Sequence, residues 1–331
     1  MSLLDENRNV IINGSFFRDN RNASRFAPFA YAAGFDNYAV DKWHLRSDET
    51  NTTGSSFSIQ QFALGQTDVK GNPRNYFRLN HTSVSANGSI LRLTQRIESV
   101  RTLSGGRVGL SLYMKASSAI TVGFALRQHF GTSGSPSSDV TLTTQSLTLT
   151  TSWKIYDLQF DLTSISSKTL GTDLNDYLEL RILPPLNTTF TLDIAQVCLA
   201  KKTKAYELAG ANHLEEEGLM RRYYRKNYLE SELAGATFTA ANDFAHGGTM
   251  DGSNGFTSLE FDREMRATPT VGTWSGAGTG GTGSSRRCDT NTGSNVAFTS
   301  FGITRRGFKA YLTGSFSYCI FRYTADADFY N

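Results

Sequence analysis

Three pairs of carboxylates, Asp36 with Asp41, Asp173 with Asp176 and Asp326 with Asp328, come nearest in type and spacing to residues that could do chemistry. Hydrolysis of a glycosidic bond needs two such groups a fixed distance apart across the sugar ring. Each pair here sits in a polar, turn-like stretch, where Asp more often bonds its own backbone. Turn carboxylates can also hold Ca²⁺ together with backbone carbonyls, although no EF-hand loop is present. No other cofactor is implied. His44, His81, His129, His213 and His246 are scattered without HExxH spacing, and no GxSxG elbow marks a nucleophilic serine. The stretch GAGTGGTGS at 276 to 284 lacks GxxxxGK[ST] and a following helical pattern, so it reads as a surface loop. No catalytic residue is assigned, and the chain is expected not to be an enzyme.

Aromatic residues offer a different chemistry. Tyr31, Phe35, Tyr38 and Trp43, with Asp41, lie within AYAAGFDNYAVDKWHL. Flat rings beside polar side chains suit sugars, whose C–H faces pack on the ring while their hydroxyls hydrogen-bond. These five are the candidate ligand-binding residues. Against that stands the plainer reading of Trp43 and Trp153 as anchors of a β core, where large aromatics commonly sit.

The bulk numbers bound the setting for those residues. A chain of 331 residues suggests about two domains, at roughly 150 residues each. Hydrophobic content of 39% with only six prolines, and many Ser, Thr, Asn and Phe, favour strands and turns over helices. A formal charge of +3, dispersed along the chain, gives no clustered basic surface for nucleic acid. No apolar run approaches the roughly 18 residues that span a bilayer, and MSLLDENRN lacks the basic start and apolar stretch of a secretory signal. The chain therefore reads as mature protein without membrane insertion. Cys198, Cys288 and Cys319 are an odd number without CxxC spacing and read as buried small hydrophobes. Six Asn-X-Ser/Thr sequons, at Asn13, Asn22, Asn51, Asn80, Asn87 and Asn187, read as turn chemistry.

The elements that must position these residues show in the period-2 pattern. SILRLTQRIE puts Leu91, Leu93 and Ile97 on one face, and RVGLSLYMKA aligns Val108, Leu110, Leu112 and Met114. With LSGG between them at 103 to 106, the two read as a hairpin. Tyr156, Leu158, Phe160 and Leu162 alternate in the same way, YLELRIL is a further strand, and Phe190, Leu192, Ile194 and Cys198 share a face in FTLDIAQVCLA. Strands at this spacing without helices between them predict an antiparallel sandwich. NVIINGSFF, residues 9 to 17, reads as its opening strand, bent at Asn13-Gly14, with Phe16 or Phe17 turned into the core.

The period then changes. In YELAGANHLEEEGLMRRYYRKNYLESEL, Glu215, Glu216 and Glu217 precede Arg221, Arg222, Arg225 and Lys226, a charge order that suits a helix dipole. Gly218 weakens the middle, so one or two short helices are expected. Strand and glycine texture resumes after residue 233. The fold class expected is all-β: a jelly-roll β-sandwich over 1–205, a helical connector over 206–232 and a smaller C-terminal β domain over 233–331.

Several stretches taken in order, NVIINGSFF, DKW, LRLTQRIE, GGRVGLSLYMKASS, LRQHFG, LTTSWKIYDLQFDL, DYLELRIL, FTLDIAQVCLA and EEEGLMRRYYRK, resemble the carbohydrate-binding-module-like jelly roll of phage tail-fibre and related virion proteins. The resemblance covers about residues 8 to 228, and Asp41, Lys42 and Trp43 stand where that pattern has an Asp-Arg-Trp-like strand. FDREMRATPTVGTW and the late YTADADF resemble the small C-terminal β domain on such proteins, with Asp328-Phe329 departing from the usual Ala-Asp-Ala-Glu-Leu ending. The resemblance implies a non-catalytic virion component, made in the host cytoplasm, often a homotrimer. Its partners would be further copies of itself, other virion proteins and a host surface glycan. Tail fibre or receptor-binding protein leads; a capsid decoration protein, head fibre or tail adaptor is the alternative, and a polysaccharide depolymerase, which usually has β-helix coils, stands third.

Overall fold

A computed structural model describes residues 8–21, 26–49, 54–82, 88–201, 213–228, 232–236, 246–249, 254–275, 284–287, 295–313 and 318–330. The chain divides into two compact units: Met1–Arg18 with Arg25–His213, and Asp19–Ser24 with Leu214–Asn331. Among the described residues no helix is long and apolar enough to cross a membrane.

The first unit contains β1 (Phe29–Ala30), β2 (Asp36–Val40), β3 (Trp43–Ser47), β4 (Ser56–Gln61), β5 (Asn75–His81), β6 (Leu91–Glu98), β7 (Gly106–Ala116), β8 (Thr121–His129), β9 (Val140–Thr141), β10 (Gln145–Thr148), β11 (Lys154–Leu162), β12 (Tyr177–Leu183) and β13 (Phe190–Ala200). One sheet has the order β1-β4-β5-β13-β7-β11, the other β10-β8-β12-β6-β3-β2 with β9 added on β8. All pairings are antiparallel. From β5 onward the chain changes sheet at nearly every connection. The result is a jelly-roll β-sandwich, and the protein is nearly all β.

The core between the sheets is the apolar set of the alternating strands. Leu91, Leu93, Val108, Leu110, Leu112, Met114, Leu158, Phe160, Leu192 and Ile194 are all buried in it. Its aromatic centre is a run of rings: Phe16 lies 5.4 Å from Trp43 and 5.5 Å from Phe77. Phe77 continues to Phe57 at 6.4 Å. Each such contact adds about 0.5–1.5 kcal/mol beyond the area it buries.

Several expectations need correction. LRLTQRIE and GRVGLSLYMKA do not pair: β6 belongs to one sheet and β7 to the other. Alternation tells which side of a strand is buried, and says nothing of its partner. The turn between them, with Ser99, Leu103 and Gly105 at positive φ, carries the chain across the sandwich. NVIINGSFF is not a strand. It runs beside β13 through two backbone bonds, Val10 N to Leu199 O at 2.9 Å and Val197 N to Gly14 O at 3.0 Å. Gly14 is required there, since a Cβ would overlap the carbonyl oxygen of Val197. Asn13 and Phe16 take positive φ, and that turns Phe16 into the core. Cys198 does not share the face of Ile194. A bulge between Ala195 and Cys198, with Gln196 at positive φ, brings Val197 and Leu199 inward instead. Cys198 is a buried free thiol; the readings of Cys288, of the Cys319 side chain and of loop residues 276–283 fall outside the described residues. Of the sequons, Asn13 and Asn187 hold positive-φ turns and Asn80 lies in β5, while Asn22, Asn51 and Asn87 also fall outside.

The second unit contains α1 (His213–Met220) from Leu214 onward, β14 (Tyr224–Lys226), β15 (His246–Thr249), β16 (Asn254–Glu260), β17 (Thr270–Ser275), β18 (Ser284–Arg287), β19 (Asn295–Thr304), β20 (Gly307–Thr313) and β21 (Tyr318–Asp326). The helix is eight residues long and ends before the basic cluster, so Arg221 pairs back to Glu217 and Arg225 lies in a strand. Leu259, Met265, Val271, Phe308 and Phe321 form the core of this unit. β21 is its centre, paired with β14, β15, β17 and β18 along its length.

Candidate functional site

The carboxylate pairs resolve into structural work. Asp173 accepts hydrogen bonds from the Thr132 and Ser133 hydroxyls, both at 2.7 Å, and Asp176 accepts from Ser99 Oγ at 3.0 Å and Val100 N at 2.8 Å. Asp326 and Asp328, within the second unit, both pair with Arg21, whose guanidinium also lies 4.2 Å from the Tyr224 ring. Among the described residues no group of three or more His, Cys, Asp and Glu stands together to hold a metal ion.

Four of the five aromatic-loop candidates are buried. Trp43 is fully enclosed, and its Nε1–H donates to Asn13 O at 3.1 Å. Tyr38 packs edge-on against His44 at 5.6 Å, and Asp41 is buried with its backbone carbonyl bound by Asn13 Nδ2 at 2.9 Å. Tyr31 joins a sealed chain in which its hydroxyl meets His81 Nδ1 at 2.6 Å and His81 Nε2 meets Glu49 Oε2 at 3.0 Å. Burial pushes the Tyr31 phenol up. Only Phe35 keeps a partly exposed ring, 5.5 Å from Tyr31. Tyr31, Trp43 and Phe35 pack at the core, Tyr38 lies buried beside His44 on the other side of its strand, and none of the four buried residues presents an open ring on which a sugar could stack.

The outward faces of the two sheets carry the remaining candidates. On the six-stranded sheet, Tyr76, Trp153 and Phe62 form a half-buried trio with centroids 4.7 to 5.3 Å apart. The loop between β4 and β5 comes back over this face, burying Val69 against Tyr113 and Ala195. Gln196 Nε2 holds that loop at Lys70 O, 2.9 Å away. Trp153 is thus part of a satellite cluster rather than an anchor of the main core. Beside it, Arg78 grips Asp193 with two bonds of 2.7 and 2.8 Å.

The outward face of the seven-stranded sheet is charged. Strand register lays it out in rows. One row is His129–Tyr177–Glu98, the next Thr141–Arg127–Glu179–Arg96, the next Ala125–Arg181–Thr94–His44–Tyr38, and the last brings Arg92, Arg46 and Asp36 together. Glu179 is only 1% exposed, yet three guanidiniums surround it: Arg181 at 2.6 Å, Arg96 at 3.3 Å and Arg127 at 3.6 Å. Burial pushes its carboxyl up, but the three arginines outweigh burial and hold it below the usual carboxylate range. Arg127 and His129 share Asp139. Tyr177 lies between the Arg96 guanidinium, 4.5 Å from its centroid, and the His129 ring at 4.5 Å. His44 faces Asp36 at 3.3 Å, and burial pushes its imidazole down to about 4.

Such a face is a fixed array of guanidinium donors and carboxylate acceptors, each side chain held by a neighbour before any ligand arrives. Apolar alternation marks only the inward half of each strand and so does not announce this face. The complementary half, Arg92, Thr94, Arg96 and Glu98 in β6 with Tyr177, Glu179 and Arg181 in β12, was the available signal. The second unit has a groove of about 530 Å³ lined in part by Glu260, Asp262, Arg263, Arg306 and Lys309. Its Asp262 is taken up by Arg221 and Arg225.

The first unit is thereby a jelly-roll sandwich with one polar, pre-ordered sheet face. No family model and no curated protein matches the sequence. Among solved structures, the chain is similar to the enzymatically active domain of tailspike protein 4 of bacteriophage CBA120, at 15% identity and a TM-score of 0.36, covering 58% of this chain and 21% of that one. It is similar to the family 11 carbohydrate-binding module of Clostridium thermocellum, solved with a mixed-linked tetrasaccharide, at 15% identity and a TM-score of 0.31, covering 53% of this chain and 99% of that one. It is also similar to a xylan-binding domain of carbohydrate-binding-module family 22 from Paenibacillus barcinonensis, at 11% identity and a TM-score of 0.32, covering 55% and 99%.

Proposed function

We propose that this chain is a non-catalytic, glycan-binding structural protein of a phage virion, of tail-fibre or receptor-binding type, and that the outward face of its seven-stranded sheet is the surface that meets the sugar. The observation that carries the reading is the ordered grid around Glu179, where Arg96, Arg127 and Arg181 are fixed on adjacent strands of a rigid sheet. Sugar hydroxyls need donors and acceptors held in place, because each rotamer frozen on binding costs about 0.5–1.5 kcal/mol. A network satisfied in advance has already met that cost in folding. The ordered motifs from NVIINGSFF to EEEGLMRRYYRK support the virion assignment. Assembly as a homotrimer would multiply a weak single-site affinity by presenting three faces at once.

Glycan arrays probed with the intact protein, alongside its mass in solution by light scattering, test this reading. Binding to a defined set of glycans is expected, lost on Arg181→Ala and kept on Tyr76→Ala. Absence of binding to any host-surface glycan would overturn it.

A further inference from the structure

We propose that the second unit carries an arginine-binding site at the end of its central strand, and that its occupant is the chain's own Arg21. The stability of this unit is then set by a residue 305 positions away from Asp326 in sequence. The inference is independent of the glycan reading. Met1–Arg18 belong to the first unit and Asp19–Ser24 to the second, so the second unit is discontinuous along the chain. Its site is built at the last pair of β14 and β21, where Tyr224 stands directly opposite Asp326. Past that pair the chain folds back on its own carboxylates. Asp328 N donates to Asp326 Oδ1 at 3.0 Å, and Phe329 N to Asp328 Oδ1 at 2.9 Å. The stretch between them is gripped from the side: Ala327 N donates to Tyr223 O at 2.8 Å, Arg266 Nε donates to Ala327 O at 2.8 Å, and the Arg266 guanidinium lies 3.9 Å from the Phe329 ring. Both carboxylates are thus aimed by the second unit's own bonds.

Arg21 fits this site with every part of its side chain. Nη1 and Nη2 meet the two oxygens of Asp326 at 2.5 and 3.2 Å, and Nη2 lies 3.5 Å from Asp328 Oδ2. The guanidinium is also 4.2 Å from the Tyr224 ring centroid. A fork on one carboxylate combined with stacking on an aromatic ring is what arginine supplies and lysine does not. The segment is shaped to present it, since Asp19 Oδ1 accepts from Arg21 N at 3.2 Å and closes a turn. The pairing is enclosed: the Asp328 side chain is 1% exposed and that of Arg21 12%. Two carboxylates drawn to one point disfavour each other's charge, and burial deepens that cost unless a cation stands between them. Arg21 meets both, so the segment acts as a built-in ligand of the second unit.

The test is amide hydrogen exchange of the intact protein followed by mass spectrometry, which reads the two units separately. Arg21→Ala should speed exchange in β14, β17 and β21 by about tenfold or more, the scale of a lost charge-assisted hydrogen bond, and leave β7 and β11 unchanged. Arg21→Lys, which keeps the charge without the fork, should fall between, and it carries the same comparison if the alanine variant does not fold. Asp326→Asn should match Arg21→Ala. The two changes combined should add little to either alone, because each removes the same contact. Arg107→Ala, which breaks an ion pair with Asp161 in the first unit, should leave the second unit's exchange as it was. Unchanged exchange in β14, β17 and β21, equal loosening of both units, or effects of Arg21→Ala and Asp326→Asn that simply multiply would each overturn the proposal.

Discussion

On the outward face of the six-stranded sheet, Tyr76, Trp153 and Phe62 close on one another and a loop folds back over their neighbours. On the outward face of the seven-stranded sheet, Tyr177 stands between Arg96 and His129, and carboxylates are shared among arginines. Both faces come from the same alternation of strands. They differ in what completes them: apolar rings are completed by more protein, whereas guanidiniums and carboxylates satisfied by each other leave their remaining donors and acceptors turned toward solvent. An aromatic cluster on a sandwich is therefore weak grounds for a sugar site when it is already covered. A charged face with buried anchors is the better candidate.

The largest effect expected is at the anchor of the charged face. Glu179→Ala leaves three guanidiniums with no shared counter-charge, and removal of one partner from a buried ion cluster costs about 3–5 kcal/mol. Chemical denaturation followed by far-UV circular dichroism should show that loss in the first unit. A neutral Glu179→Ala would mean that this carboxylate is no anchor of the charged face.

Next comes the pH dependence of the same face. His44 has a folded-state value of about 4 against an ordinary 6.5, so the unfolded chain takes up the proton first. The stability His44 contributes is present above 6.5 and lost as pH falls from there toward 4, by roughly 3 kcal/mol at most. Denaturation midpoints from pH 7.5 to 4 should fall in wild type, and His44→Gln should flatten that part of the slope. A slope unchanged by the substitution would place the titrating group elsewhere.

The sandwich itself was legible from sequence because Val108, Leu110, Leu112 and Met114 alternate with polar residues as only a strand does, and each is buried as that pattern requires. Partners were not legible. β6 and β7 are separated by a short turn, yet that turn crosses the sandwich with positive φ at Ser99, Leu103 and Gly105, and only Gly105 announces this by residue type. The charged face is hidden in the sequence for a related reason. Trp43 and Tyr31 draw attention as sugar-stacking rings, but whether a ring faces core or solvent depends on the strand beside it, and here Phe16 and His81 cover them. Arg181, Glu179 and Arg96 are ordinary polar residues in period-2 alternation until register sets them side by side.

The smallest effect expected is on the aromatic face, and it separates the two faces most cleanly. Trp153 is half-buried, 5.3 Å from both Tyr76 and Phe62, with the Lys115 ammonium 5.2 Å from its ring. Fully buried Trp→Ala changes cost about 3–5 kcal/mol, and a ring that keeps part of its surface in water should cost about 1–2 kcal/mol, since hydrophobic stabilisation scales with the area removed from water. Trp153→Ala should therefore lower the denaturation midpoint modestly and, on the proposed function, leave glycan binding untouched. If affinity falls with Trp153 and survives Arg181→Ala, the roles of the two faces are reversed, and the rings, loop and all, are the binding surface.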